Sequence, residues 1–224
     1  MADVPFYLNI LFVLTTLATV GIFFLASQKN KVAFGIVLLI MIFQAFLGLQ
    51  RFYHDSDAMP PRLMLMLLPS AVPILFAFFT RTGKKFINAL DLKTYTYLHT
   101  VRLPVEVVIF GLFMHQLMPQ SMSFEGRNFD VISGLTAPII AYLGFRQGVV
   151  NKPLLLIWNI VCLGLVLQVV GTGILSAPSP FQQLSFEQPN VAVLYFPFIW
   201  LPTIVVPIVI FGHLVAVRRL LGKN

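Results

Sequence analysis

Apolar residues fill seven stretches of the chain, and polar residues gather in the short connections between them. The stretches run Pro5–Ala26, Val32–Leu49, Leu63–Phe79, Thr94–Leu117, Val131–Phe145, Pro153–Leu175 and Val191–Val217. At a helical rise of about 1.5 Å per residue, each is long enough, or nearly so, to cross a hydrocarbon core about 30 Å thick. The fifth is the weakest, being short and interrupted by Pro138; it starts earlier, near Phe129, or is a tilted or re-entrant piece. The pattern predicts an all-α, polytopic integral membrane protein: one domain over residues 1–224, built as a bundle of seven transmembrane helices.

Composition strengthens that expectation. An ordinary soluble domain is about 25% charged, whereas this 224-residue chain is 10% charged and 58% hydrophobic. Its mean hydropathy is +0.88. A soluble fold would lack the polar surface to cover such a core. No connection exceeds about fifteen residues, which leaves no room for a soluble domain. Cys162 is the single cysteine, so neither an intramolecular disulfide nor a cysteine-based zinc site can form. The fifteen Lys and Arg are scattered between apolar runs and form no single basic face, which excludes a nucleic-acid partner. The bilayer itself is the expected partner.

Charge then sets an orientation. Lys29, Lys31, Arg81, Lys84, Lys85, Lys93, Arg146, Lys152, Arg218, Arg219 and Lys223 fall in alternate connections and the C-terminal tail. The other connections hold only Arg51, Arg62 and Arg127, with Asp3, Asp55, Asp57, Glu125, Asp130 and Glu187. By the positive-inside rule, the N-terminus is expected outside and the C-terminus in the cytoplasm, in the cell (inner) membrane. The start "MADVPFYLNILF" has no basic region ahead of its apolar run, so the first segment is expected to be retained and not cleaved as a signal peptide.

The fourth segment breaks the pattern. In "YLHTVRLPVEVVIF" (97–110), His99, Arg102 and Glu106 share one helical face with Tyr95, within an arc of roughly 60° at about 100° per residue. A lone charge at that depth costs from about 3 kcal/mol upward, so the stripe is expected to face the bundle interior or a wet cavity. Arg102 and Glu106 stand four residues apart and are expected to neutralise each other. Asn159 and His213 match the depth of His99, counted from the nearest basic residue of each segment; Tyr142 lies slightly shallower. These residues form a candidate intramembrane polar site. A hydrogen-bonded packing layer is one account of it, and a bis-histidine haem or metal site is compatible with the residue types.

A second cluster lies in two outer connections, "QRFYHDSDAMPPR" (50–62) and "SFEGRNFD" (123–130). It offers His54, Asp55, Asp57, Glu125, Arg127, Asn128 and Asp130, with His115 nearby. Imidazoles and carboxylates can perform acid–base chemistry, but no spacing here selects a metal. Glu125, Asn128 and Asp130 are expected to cap the fifth helix, leaving Arg127 as the residue suited to hold an anionic group.

The third segment contains Pro69 and Pro73, and the last contains Pro197, Pro202 and Pro207. An interior proline frees a carbonyl, such as Thr203 O opposite Pro207. Known seven-helix chemistries are missing their residues: the last segment has no lysine for a retinal Schiff base and only one of the two histidines a zinc hydrolase of that type needs. The residues specify no cofactor. The expected function is transport-like or sensing, through the intramembrane site, for a small-molecule or lipid ligand. The alternatives are a membrane-embedded enzyme using the outer cluster on a lipid or amphipathic substrate, and a structural subunit of a membrane complex.

Overall fold

The computed structural model describes residues 4–55, 58 and 60–222, and contains helices, turns and loops with no strand among them. Asp3, Asp57 and Lys223 lie outside the described residues. The helices are α1 (Phe6–Ala26), α2 (Lys31–Leu49), α3 (Arg62–Phe79), α4 (Arg81–Ala89), α5 (Leu92–Met114), α6 (Val131–Gly144), α7 (Lys152–Ser176) and α8 (Leu201–Leu221). Six of these, all but α4 and α6, are long and apolar enough to cross a membrane. Large apolar side chains point outward along them, among them Leu39, Ile42, Phe79 and Ile157. A soluble protein does not expose so continuous an apolar surface. The architecture is that of a helical membrane protein.

Backbone links define two ends of the bundle. At one end, Asp91 N–H donates to Ala26 O, Asn151 N–H donates to Gly144 O, and Arg218 reaches Phe78 O. This end carries most of the Lys and Arg and is called the basic end below. At the opposite end, named the outer end below after the orientation expected from charge, Gln188 donates to Phe113 O and Met118 O, Val191 and Ala192 donate to Leu117 O, and Gln168 donates to Arg127 O.

Three elements depart from the sequence pattern, each for a local reason. The last apolar stretch becomes helical only at Leu201, ten residues late. Its first part is a 3-10 turn at Ala192–Leu194 followed by extended Tyr195 and a cis Phe196–Pro197 peptide. A proline disfavours the helical region for the residue before it and has no N–H to give. Pro202, by contrast, sits in the first turn of α8, where a missing N–H costs nothing. The connection between the third and fourth stretches is itself a helix, α4, capped by Thr80 Oγ1, which accepts from Gly83 N–H at 3.0 Å. It buries Gly83 and Ile87 and exposes Arg81, Lys84 and Lys85, the distribution of a helix lying in a membrane interface. Finally, α5 tightens to 3-10 geometry at His99–Val101. Pro104 lacks the N–H that would bond Thr100 O, and the backbone adjusts there.

Hydrocarbon solvent gives helices no hydrophobic reason to associate, so close packing and polar contacts carry the bundle. Two glycines allow the approaches that matter. A Cβ on Gly212 of α8 would collide with the Tyr95 ring, and one on Gly134 of α6 would meet Leu103 N and Arg102 Cβ at 3.1 and 3.2 Å. Both contacts press on the polar face of α5.

Candidate functional site

The 3-10 turn aligns the polar face of α5. Residues three apart eclipse in 3-10 geometry and residues four apart align in α geometry. His99, Arg102 and Glu106 therefore stand in one row, and they are 1%, 3% and 4% exposed. Tyr95, a turn nearer the basic end, donates its hydroxyl to Ile208 O at 2.8 Å and is buried with them.

From this row, polar contacts reach α6, α7, α8 and the outer loop. Arg102 Nη1 donates to Asp130 Oδ1 at 2.7 Å, and Arg102 Nη2 lies 2.9 Å from His213 Nε2. The guanidinium can only donate, so His213 Nε2 accepts and the ring hydrogen sits on Nδ1. His213 Nδ1 accordingly donates to Asn159 Oδ1 at 2.8 Å, while Asn159 Nδ2 donates to Leu155 O. On the other side, Asp130 Oδ1 also accepts from Ser133 Oγ at 3.2 Å, and Asp130 N–H donates to Asn128 Oδ1 at 2.9 Å. Asn128 Nδ2 donates to Glu106 Oε1 at 2.6 Å and to Met122 O at 2.8 Å. Asn159, His213, Arg102, Asp130, Asn128 and Glu106 thus form one continuous row. Three buried atoms of these side chains and their neighbour have no hydrogen-bond partner among the described residues: Glu106 Oε2, Arg102 Nε and His99 Nδ1.

The geometry corrects one expectation about the intramembrane residues and bears on an alternative reading of them. Arg102 is paired with Asp130 and not with Glu106. The guanidinium is drawn toward α6 and α8, where Gly134 lets the helix carrying Asp130 approach, and Glu106 takes its hydrogen bond from Asn128. His99 and His213 stack ring on ring, with centroids 3.9 Å apart and planes inclined by 17°, and Trp158 packs against both. The stacked rings leave no gap for a haem plane between them, and both His213 nitrogens are already engaged by Arg102 and Asn159. Tyr142 is exposed and takes no part.

The outer cluster is dispersed. Asn128 and Asp130 turn inward and belong to the buried row. Asp55 pairs with Arg62 at 2.7 Å near the surface, and His54 packs against Tyr195 with centroids 4.1 Å apart and planes tilted by 55°. Glu125, Arg127 and His115 are exposed; Asp57 lies outside the described residues. Glu125 and Asp130 make no side-chain cap to α6, because Asp130's carboxylate is engaged by Arg102 and Ser133. Asn128 accepts from Asp130 N–H, just ahead of the helix. Among the described residues, no group of three or more His, Cys, Asp or Glu converges as metal ligands.

Sequence reasoning placed Asn128 and Asp130 in the wrong cluster and missed Ser133, Trp158 and the role of Gly134. One signal for Asp130 was present: it directly precedes the shortest apolar stretch, so its side chain begins at the bundle's edge.

The chain belongs to the family described as a domain of unknown function, DUF8737, whose model matches residues 60–221. The matched part runs from the start of α3 to the end of α8 and contains every residue of the buried row. No curated protein and no solved structure matches the chain.

Proposed function

We propose that this is a seven-span membrane protein, N-terminus outside and C-terminus cytoplasmic, whose buried polar row serves transport or sensing with Glu106 as its proton-exchanging group. The observation that carries the reading is the reach of the row. Asn159 lies seven residues into α7, roughly 10 Å from the basic end at the helical rise, and Asn128 lies in the outer-end loop. Hydrogen-bonded side chains, with the Asp130 backbone N–H as one link, join the two through apolar surroundings. Ionisable groups at membrane depth mark ion and proton pathways more often than they mark inert packing. Glu106 stands out within the row, because its Oε2 is buried without a partner while Oε1 is held by Asn128.

Counting α6 as the seventh crossing is supported by its ends: Asp130 joins the outer-end loop, and Gly144 O accepts from Asn151 at the basic end. The orientation, and with it the cell (inner) membrane, rests on the bias of eleven basic residues against three. A small molecule or a lipid is the class of ligand that fits so apolar a protein. A structural subunit, in which the row only locks helices, is the second reading, and it draws on the self-neutralising Arg102–Asp130 pair. An enzyme built on the outer cluster draws no such support, because its groups are dispersed.

Difference infrared spectroscopy on the purified protein in lipid tests the assignment. Between about pH 5 and about pH 9, a range wide enough for a perturbed carboxyl, a protonated-carboxyl band is expected to change and to shift in deuterated water. Glu106→Gln is expected to remove it. A protein with no such band, or a band unchanged in Glu106→Gln, overturns the proton-exchange role.

A further inference from the structure

A cavity of about 470 Å³ lies apart from the polar row, between α2, α3, α4 and α8. Its volume is in the range of about 300–1,000 Å³ typical of sites for small ligands. Ala33, Ile36 and Ile40 form one wall and Pro73 and Ala77 another, with Phe86 of α4 at the basic end. Val32 and Ile36, on the lip, are 73% and 40% exposed, so the cavity opens sideways toward the surrounding lipid. α4 can close the basic end because Gly83 lies directly against the Ala77 backbone, where a Cβ would collide.

The buried hydroxyls of its lining, Ser70 and Thr203, are already occupied, and so is the Asn30 amide oxygen. Ser70 Oγ donates to Thr203 O, Thr203 Oγ1 donates to Ile199 O, and Asn30 Oδ1 accepts from Ala33 N–H. Whatever fills the interior therefore meets an apolar wall. The rim is different. Exposed Lys29 and Lys31 flank Asn30, and exposed Arg81, Lys84 and Lys85 flank Thr82 and Gly83. Residues 27–40 and 70–86, which supply the rim and most of the wall, contain no Asp or Glu.

From this juxtaposition of a laterally open apolar groove and an all-cationic rim at its interfacial end, we infer that the groove binds one acyl chain of an anionic phospholipid, its phosphate held by the rim. An amphiphile of that class places its chain in the groove and its charge at the headgroup level, where juxtamembrane Lys and Arg attract anionic lipids. The inference is independent of Glu106 and of any proton movement.

The test uses the full chain, purified in mild detergent and supplied with phosphatidylglycerol or phosphatidylcholine of the same acyl composition. Native mass spectrometry counts the retained lipid, and thermal unfolding reports stabilisation. About one phosphatidylglycerol per chain is expected, with severalfold weaker retention of phosphatidylcholine. Replacing Lys31, Lys84 and Lys85 together by Gln is expected to reduce that preference toward unity. Ala33→Trp, which fills the groove, is expected to abolish retention of both. Equal retention of the two lipids by the parent protein overturns the anionic assignment in favour of a neutral lipid. Retention unaffected by Ala33→Trp overturns the groove as the site. If Ala33→Trp does not fold, the triple variant, altered only at exposed positions, decides: a preference that survives it overturns the proposal.

Discussion

Arg102 donates to Asp130 Oδ1 at 2.7 Å across 28 positions of sequence, although Glu106 stands one turn away on its own helix. The near carboxyl is the neighbour in sequence and the far one is the ion-pair partner. Asp130 thereby ties the α6 end of the bundle to α5, while Glu106 keeps one oxygen free of hydrogen bonds among the described residues.

Removing Asp130 should therefore be far more damaging than removing the charge of Glu106. Asp130→Leu leaves a buried guanidinium without its counter-ion, a change that costs about 3–5 kcal/mol. Glu106→Gln keeps the oxygen that accepts from Asn128 and should cost about 1 kcal/mol or less. Arg102→Met combined with Asp130→Leu should recover most of the loss. A double-mutant unfolding cycle in detergent or bilayer measures the coupling. Additive effects, or a Glu106→Gln variant as unstable as Asp130→Leu, would contradict the pairing.

The tautomer of His213 gives a second expectation. With Nε2 accepting from Arg102, the ring hydrogen is on Nδ1 and needs Asn159 Oδ1. Asn159→Leu strands that N–H in an apolar interior, at about 1–3 kcal/mol. Nitrogen NMR of labelled histidine should report the Nδ1–H form for His213 in the parent protein. A spectrum of the Nε2–H form would mean that His213 does not accept from Arg102, because the guanidinium can only donate.

Much of this arrangement was legible in the sequence, but the pairings were not. Segment positions followed from apolar runs, because hydrocarbon demands them wherever a helix crosses. The inward face of His99, Arg102 and Glu106 followed from helical period and the cost of exposing charge to lipid. Depth counting brought Asn159 and His213 beside His99, and the structure places all three in contact with one another or with Arg102. The partner of Arg102 did not follow, because which carboxylate reaches it depends on how closely α6 approaches, a tertiary property set by Gly134. The late start of α8 was signalled by Pro197, yet apolar composition outweighed that signal, since the irregular stretch before it is as hydrophobic as a helix.

The outer end offers a pH dependence. Burial foremost, and Arg51 next, lower the pKa of His54, opposed by its contact with the Leu194 backbone. The unfolded imidazole then takes up a proton first as pH falls below about 6.5. Stability from this group is complete above that pH and declines as pH falls toward the lowered folded value. Hydrogen-exchange protection over residues 48–55, corrected for the fall of the intrinsic exchange rate with pH, should therefore decrease on mild acidification, and His54→Gln should flatten the response. Unchanged protection down to about pH 5 in the parent would remove His54 as the cause.

Orientation is open to direct labelling. In a Cys162→Ser background, cysteine at position 187 should react with an impermeant thiol reagent in intact cells, and cysteine at position 84 should react only after permeabilisation. Both positions follow from the charge bias between connections. Labelling of position 84 from outside would invert the bundle or remove one crossing.

The kinked wall of α8 yields the last expectation. Pro207 has no N–H for Thr203 O, and Ser70 Oγ on α3 donates to that carbonyl instead. A carbonyl freed within a membrane helix persists only where a neighbour satisfies it. Ser70→Ala should cost about 1–3 kcal/mol, the penalty for a buried acceptor left unpaired. With Pro207→Ala in place, the new amide at position 207 can supply the partner, so the same Ser70→Ala change should then cost much less. Unfolding free energies of the four proteins, compared as a cycle, give the coupling directly. An equal cost for Ser70→Ala in both backgrounds would mean that the hydroxyl does not substitute for the missing helical bond.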